Sequence, residues 1–89
     1  MEPNSPTLQR ISRCGIVAAV RVQDASQFPG SVESLLAGGL DVAEIAMSMN
    51  GGIRMLESAA ALFGGAMLLG AGTVLDAETA RFCILAGAK

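Results

Sequence analysis

Asp41-Val42-Ala43-Glu44-Ile45-Ala46-Met47-Ser48, taken with Gly70-Ala71-Gly72-Thr73-Val74-Leu75, decides the fold. The first segment is short and apolar, and Gly38-Gly39 and Asn50-Gly51-Gly52 bound it, which predicts a buried strand. Strand side chains alternate, so Val42, Glu44, Ala46 and Ser48 share one face and Ala43, Ile45 and Met47 the other. The second face is greasy and suits packing on helices. The first is small and polar, and it carries one acid in a run where carboxylates are rarely buried unpaired. Such a face suits the inner side of a sheet bearing a reactive site. The alternative is an edge strand with Glu44 in water.

Working outward, the chain reads as a helix followed by three strand–helix units of about 25 residues each, the spacing of βαβ crossovers. Thr7 is placed to cap a helix over Leu8 to Cys14, which Gly15 ends. Ile16 to Val22 is apolar and partly β-branched, a first strand with Arg21 at its far end. Asp24-Ala25-Ser26-Gln27 has the form of a capping box. Pro29 cannot donate to the Ala25 carbonyl, so the first turn is irregular or the helix starts only at Ser31. Val32, Leu35 and Leu36 carry that helix's apolar face, and Gly38-Gly39 end it. After the Glu44 strand, Ile53, Leu56, Ala60 and Phe63 mark the buried face of a second crossover helix, stopped by Gly64-Gly65. Ala66 to Gly70 reads as the third strand and Gly72 to Leu75 as the loop out of it. Asp76 caps a last helix whose packed face is Ala80, Cys83 and Ile84, with Gly87 at its end. This repetition predicts an α/β fold with a parallel sheet, the start of either a (β/α)8 barrel or a doubly wound sheet.

The composition removes several classes of function. An 89-residue chain makes one small domain at most. Hydrophobic residues are 52% of it and mean hydropathy is +0.53, with no Trp or Tyr, so the core is aliphatic. Net charge is −2 and no basic stripe occurs, which argues against nucleic-acid binding. Histidine is absent, so neither a His-based metal site nor a His triad is possible within these residues. Cys14 and Cys83 lack metal-type spacing and read as thiols in a reducing, cytoplasmic setting. Residues 1–6 lack the charged and apolar parts of a signal peptide and read as a disordered start, leaving 7–89 as the domain. Ser58 to Leu75 carries no charge and is about as long as the shortest membrane helix, but Gly64-Gly65, Gly70 and Gly72 break it, so no membrane span is expected.

In a parallel sheet the ligand sits at the C-terminal strand ends. Arg21, Glu44 to Ser48, and Gly72-Thr73 come from three successive strand ends. Arg21 offers a planar cation for a carboxylate or phosphate. Ser48, Thr73 and the amides of Gly72 and Thr73 offer neutral donors, and Glu44 a proton acceptor. An anchor, donors and one general base fit enolisation of a small keto acid. Gly70-x-Gly72 is a poor dinucleotide fingerprint, because Leu75 stands at the third glycine position. Its glycines suit a tight turn and a close approach.

Gly15-Ile-Val-Ala-Ala-Val-Arg21, Leu36-Ala-Gly-Gly-Leu40, Ala43-Glu-Ile45, Gly70-Ala-Gly-Thr-Val-Leu75 and Ala86-Gly-Ala88 occur in an order and spacing that resembles the 2-keto-3-deoxy-6-phosphogluconate / 4-hydroxy-2-oxoglutarate aldolases, over Leu8 to Ala88. The resemblance implies an N-terminal helix and three βα units of a TIM-type (β/α)8 barrel, incomplete here, since such a barrel needs about 200 residues. It implies a class I carbon–carbon lyase, trimeric in the family, that forms a lysine Schiff base and releases pyruvate and an aldehyde, with no cofactor or metal. It implies Glu44 as the proton shuttle, Thr73 on the pyruvyl carboxylate and Arg21 facing the substrate. Ala46, Ser48 and Asn50 depart from the family pattern. The Schiff-base lysine lies further on in the family. Lys89, the only lysine here, matches the entry to the fourth strand. The alternative is a truncated, non-catalytic remnant or an interaction module that uses the open faces of a part-barrel.

Overall fold

The computed structural model describes residues 5–89. Helix α1 spans Pro6–Cys14, β1 Ala18–Val20, α2 Phe28–Ala37, β2 Val42–Ala46, α3 Gly52–Phe63, β3 Leu68–Gly72 and α4 Ala77–Ala86. The strands form one parallel sheet in the order β1-β2-β3. This is the α/β architecture the strand–helix alternation predicts.

Turn chemistry sets most boundaries. Gly15 ends α1 in the left-handed region at φ 75°, where a residue with a Cβ is strained. The capping box before α2 is present: Asp24 accepts from the Ser26 amide at 2.9 Å, and the Gln27 side chain accepts from the Asp24 amide at 3.4 Å. It closes a single 3-10 turn, Ala25–Gln27, and α2 begins directly after it at Phe28. Pro29 is therefore in the first helical turn, where its missing N–H leaves no bond unmade. Asp76 caps α4 through both carboxylate oxygens, accepting from the Thr79 amide at 2.7 Å and its hydroxyl at 3.0 Å.

Several boundaries differ from the sequence expectation. Ser5, not Thr7, caps α1, accepting from the Leu8 amide at 3.1 Å. Pro6 then takes the first helical position, which its fixed φ favours. The helix thus starts ahead of the boundary drawn at residue 7, and residues 1–4 of the expected disordered start lie outside the described residues. β3 lies two residues later than Ala66–Gly70, so Gly72 belongs to the strand and not to the loop. β2 ends at Ala46, and Ser48 stands exposed in the following turn instead of on the Glu44 face. Ile84, read onto the packed face of α4, is 68% exposed, whereas Cys83 and Ala86 are buried.

The core lies on one side of the sheet. Val20, Ala43, Ile45 and Leu69 point outward from the strands and pack with Phe28 and Val32 of α2, Met55, Leu56 and Ala59 of α3, and Cys83 and Ala86 of α4. On the other face, α1 crosses near the N-terminal strand ends, and Thr7 and Ile11 line a hollow of about 240 Å³ with Val17, Val42, Glu44, Leu68, Gly70 and Lys89. Arg10 ties that helix down. Its Nη2 donates to Asp41 Oδ2 at 3.1 Å, to the Ala66 carbonyl at 3.1 Å and to the Asp41 carbonyl at 3.4 Å, so one guanidinium joins the starts of β2 and β3. No helix among the described residues is long and apolar enough to cross a membrane.

Candidate active site

Register places the acid. Glu44 pairs with Ala19 of β1 on one side and with Gly70 of β3 on the other. Partners across a sheet share a face, so Glu44 stands between a methyl group and a bare backbone. The Lys89 amide donates to the Leu69 carbonyl at 2.9 Å, on the side of β3 away from β2. In a parallel ladder this bond sets Lys89 beside Gly70. One row across the sheet is therefore Ala19, Glu44, Gly70, with Lys89 hydrogen-bonded along the far edge of β3.

The carboxyl does not stay over its own row. A Cβ built on Gly72 would stand 2.8 Å from Glu44 Oε1, 2.9 Å from Cδ and 3.0 Å from Oε2. A Cβ on Gly70 would meet only the Ala43 carbonyl, at 4.0 Å. Glu44 thus leans along the strand direction, as strand side chains do, toward the C-terminal ends. Gly72 is itself fixed, because its carbonyl accepts from the Met47 amide at 2.8 Å. Glu44 is half-buried.

The other sequence candidates follow the strand ends. Arg21 comes one residue after β1 and Thr73 one after β3, and both are exposed. Thr73 has φ 55°, the one positive-φ residue other than glycine among the described residues. A β-branched side chain is an outlier in that region, and strained backbone of this kind clusters at binding sites. The structure brings Glu44 and Gly72 into contact. It does not bring Arg21 to them: Arg21 lines a separate hollow along the open edge of β1 with Ser31, Ser34 and Leu35. Among the described residues the only ion pair is Arg10–Asp41, so Glu44 forms none with Arg21 or Lys89. The sequence reading missed the bend at Thr73, for which no residue-type signal exists. It missed Arg10 as well, although an arginine on a short amphipathic helix and an acid just ahead of β2 were both in view.

The architecture is that of part of a (β/α)8 barrel. The chain matches the KDPG and KHG aldolase family over residues 8–89 and belongs to that family. No curated protein sequence matches it. Among solved structures it is similar to the KDPG aldolase of Legionella pneumophila, captured with pyruvate as a covalent carbinolamine intermediate. Identity is 24%, TM-score 0.84, and the alignment covers 98% of this chain and 41% of that one. The likeness shows the fold, and the chain spans about two-fifths of that relative's length.

Proposed function

We propose that these residues supply the proton-transfer side of a class I aldolase site, acting on 2-keto-3-deoxy-6-phosphogluconate or 4-hydroxy-2-oxoglutarate. The observation that supports it best is the Glu44 carboxyl, held on the inner face and inclined to the strand ends where ligands of parallel sheets bind. In the reaction a lysine outside these 89 residues condenses with the keto group. A base removes the C4 hydroxyl proton, the C3–C4 bond breaks, and its electrons pass into the enamine as the aldehyde leaves. Protonation at C3 and hydrolysis then release pyruvate. Glu44 moves these protons, and the Thr73 hydroxyl and amide orient the carboxylate.

The reading requires the rest of the barrel. The edge of β1 away from β2 has no strand partner among the described residues, and the far edge of β3 takes only Lys89. Leu62, Phe82, Ile84 and Leu85 are exposed, surface that further barrel helices or the subunits of a homotrimer would cover. Those open edges also favour a second reading, a non-catalytic module that pairs with another polypeptide.

One experiment separates the two. The 89-residue chain alone, treated with pyruvate and borohydride, is expected to show no mass adduct. Joined by the remaining strands of a family barrel, it is expected to exchange the methyl protons of pyruvate for deuterium, and Glu44→Gln to slow that exchange by about a hundredfold. Exchange at the parental rate in Glu44→Gln would remove Glu44 from the chemistry.

A further inference from the structure

We infer that Gly72 is a positioning residue for Glu44, and that the two glycines of Gly70-Ala71-Gly72 have different tasks. The inference rests on the aldolase reading only in calling Glu44 catalytic. The space a side chain at 72 would fill is taken by the Glu44 carboxyl, with all three of its terminal atoms within 3.0 Å of the built Cβ. Gly72 has no positive φ, so its backbone would accept alanine. What glycine provides there is room, not conformational freedom. Gly70 differs: it lies in Glu44's own row, yet a Cβ on it would press on nothing. Gly70 keeps the floor beneath the carboxyl open, and Gly72 is the seat on which the carboxyl rests.

The obstructing atoms belong to the far end of a flexible side chain. A methyl group at 72 would therefore turn Glu44 aside at little expense to the fold. Gly64 and Gly87 provide the contrast. A Cβ on Gly64 would meet the Ala60 carbonyl, and one on Gly87 would meet the Ala60 Cβ at 2.6 Å with φ at +119°, so both are required by the fold itself.

The test is an NMR contact in the 89-residue chain, read beside its urea midpoint. In the parent, nuclear Overhauser contacts are expected between the Glu44 γ-methylene and the Gly72 α-protons. Gly72→Ala should abolish them and leave the midpoint nearly unchanged; Gly70→Ala should keep them. Persistence of the contacts in Gly72→Ala, or their absence from the parent, overturns the inference. Should Gly72→Ala fail to fold, the double variant Glu44→Ala/Gly72→Ala decides: recovery of the fold supports the seat, and continued failure sinks it. In the assembled barrel, Gly72→Ala should lower kcat on the order of a hundredfold with KM little changed. The NMR result does not depend on catalysis, so loss of the aldolase reading and loss of the seat are separately visible.

Discussion

The two ends of the sheet are built differently. At the N-terminal end the starts of β2 and β3 are tied: Arg10 spans Asp41 and the Ala66 carbonyl, and the Leu68 amide donates to the Asp41 carbonyl at 2.7 Å. At the C-terminal end Arg21, Ser48 and Thr73 are exposed, Thr73 is strained, and the Glu44 carboxyl rests over a residue without a side chain. Barrel folds hold stability at the first end and chemistry at the second. The contrast teaches that a tied end and an open end do not wait for a closed barrel, since three strands already show both.

The broadest way to break the comparison is through the layer both ends share. Leu56 is fully buried among the outward-facing strand residues. Leu56→Ala should cost about 2–5 kcal/mol, a large share of the roughly 5–15 kcal/mol that holds a domain together. Urea unfolding followed by amides at both sheet ends would check it. Ends that lose structure at different denaturant concentrations would show two units in place of one shared core.

At the upper end, Thr73→Gly should raise stability by about 1 kcal/mol, since an L-residue in the left-handed region carries a penalty of that order. The same change should weaken keto-acid binding in the assembled barrel, because it removes the hydroxyl. A destabilised Thr73→Gly would mean that the hydroxyl has a structural partner, and the strain argument would fail.

Much of this division was legible in the residues. Gly15, Gly38-Gly39 and Gly87 ended helices as their types suggest, and Asp24 and Asp76 capped them, because these signals are local. The alternation around Glu44 assigned both faces of β2 correctly up to Ala46, since one face must be apolar to meet helices. What failed was set by distant partners. β3 begins at Leu68 because β2 begins at Val42, and nothing in Ala66-Met67-Leu68 says so. On α4, Phe82 to Ala86 is apolar all round, so spacing could not choose between Ile84 and Ala86 for the interior. The lean of Glu44 onto Gly72 is likewise a matter of side-chain direction, which composition does not encode.

The smallest effect belongs to the lower end. The hydrogen bond from Arg10 is the main cause that holds the Asp41 carboxyl below the usual carboxylate range; desolvation opposes it, and the Arg10 charge adds a smaller lowering. A folded-state value below the unfolded one means the group stabilises the fold fully above its unfolded pKa, about 3.9, and loses that contribution as pH falls through the lower folded value. Arg10→Met keeps much of the stem and removes the cation. Parent and variant should therefore differ in urea midpoint near neutral pH and converge as the pH falls through the lowered folded-state value. Asp24 and Asp76 are lowered too, by the Ser26 and Thr79 amides, so both proteins keep a common acid sensitivity and only the gap between them is diagnostic. Because the pair is partly exposed, added salt should narrow the gap at neutral pH. A gap that stays constant from neutral to acid pH would show that Arg10 acts only through the backbone carbonyls of Asp41 and Ala66. The lower end would then be held by hydrogen bonds that no proton reaches, and its contrast with the open upper end would be sharper than the ion pair makes it.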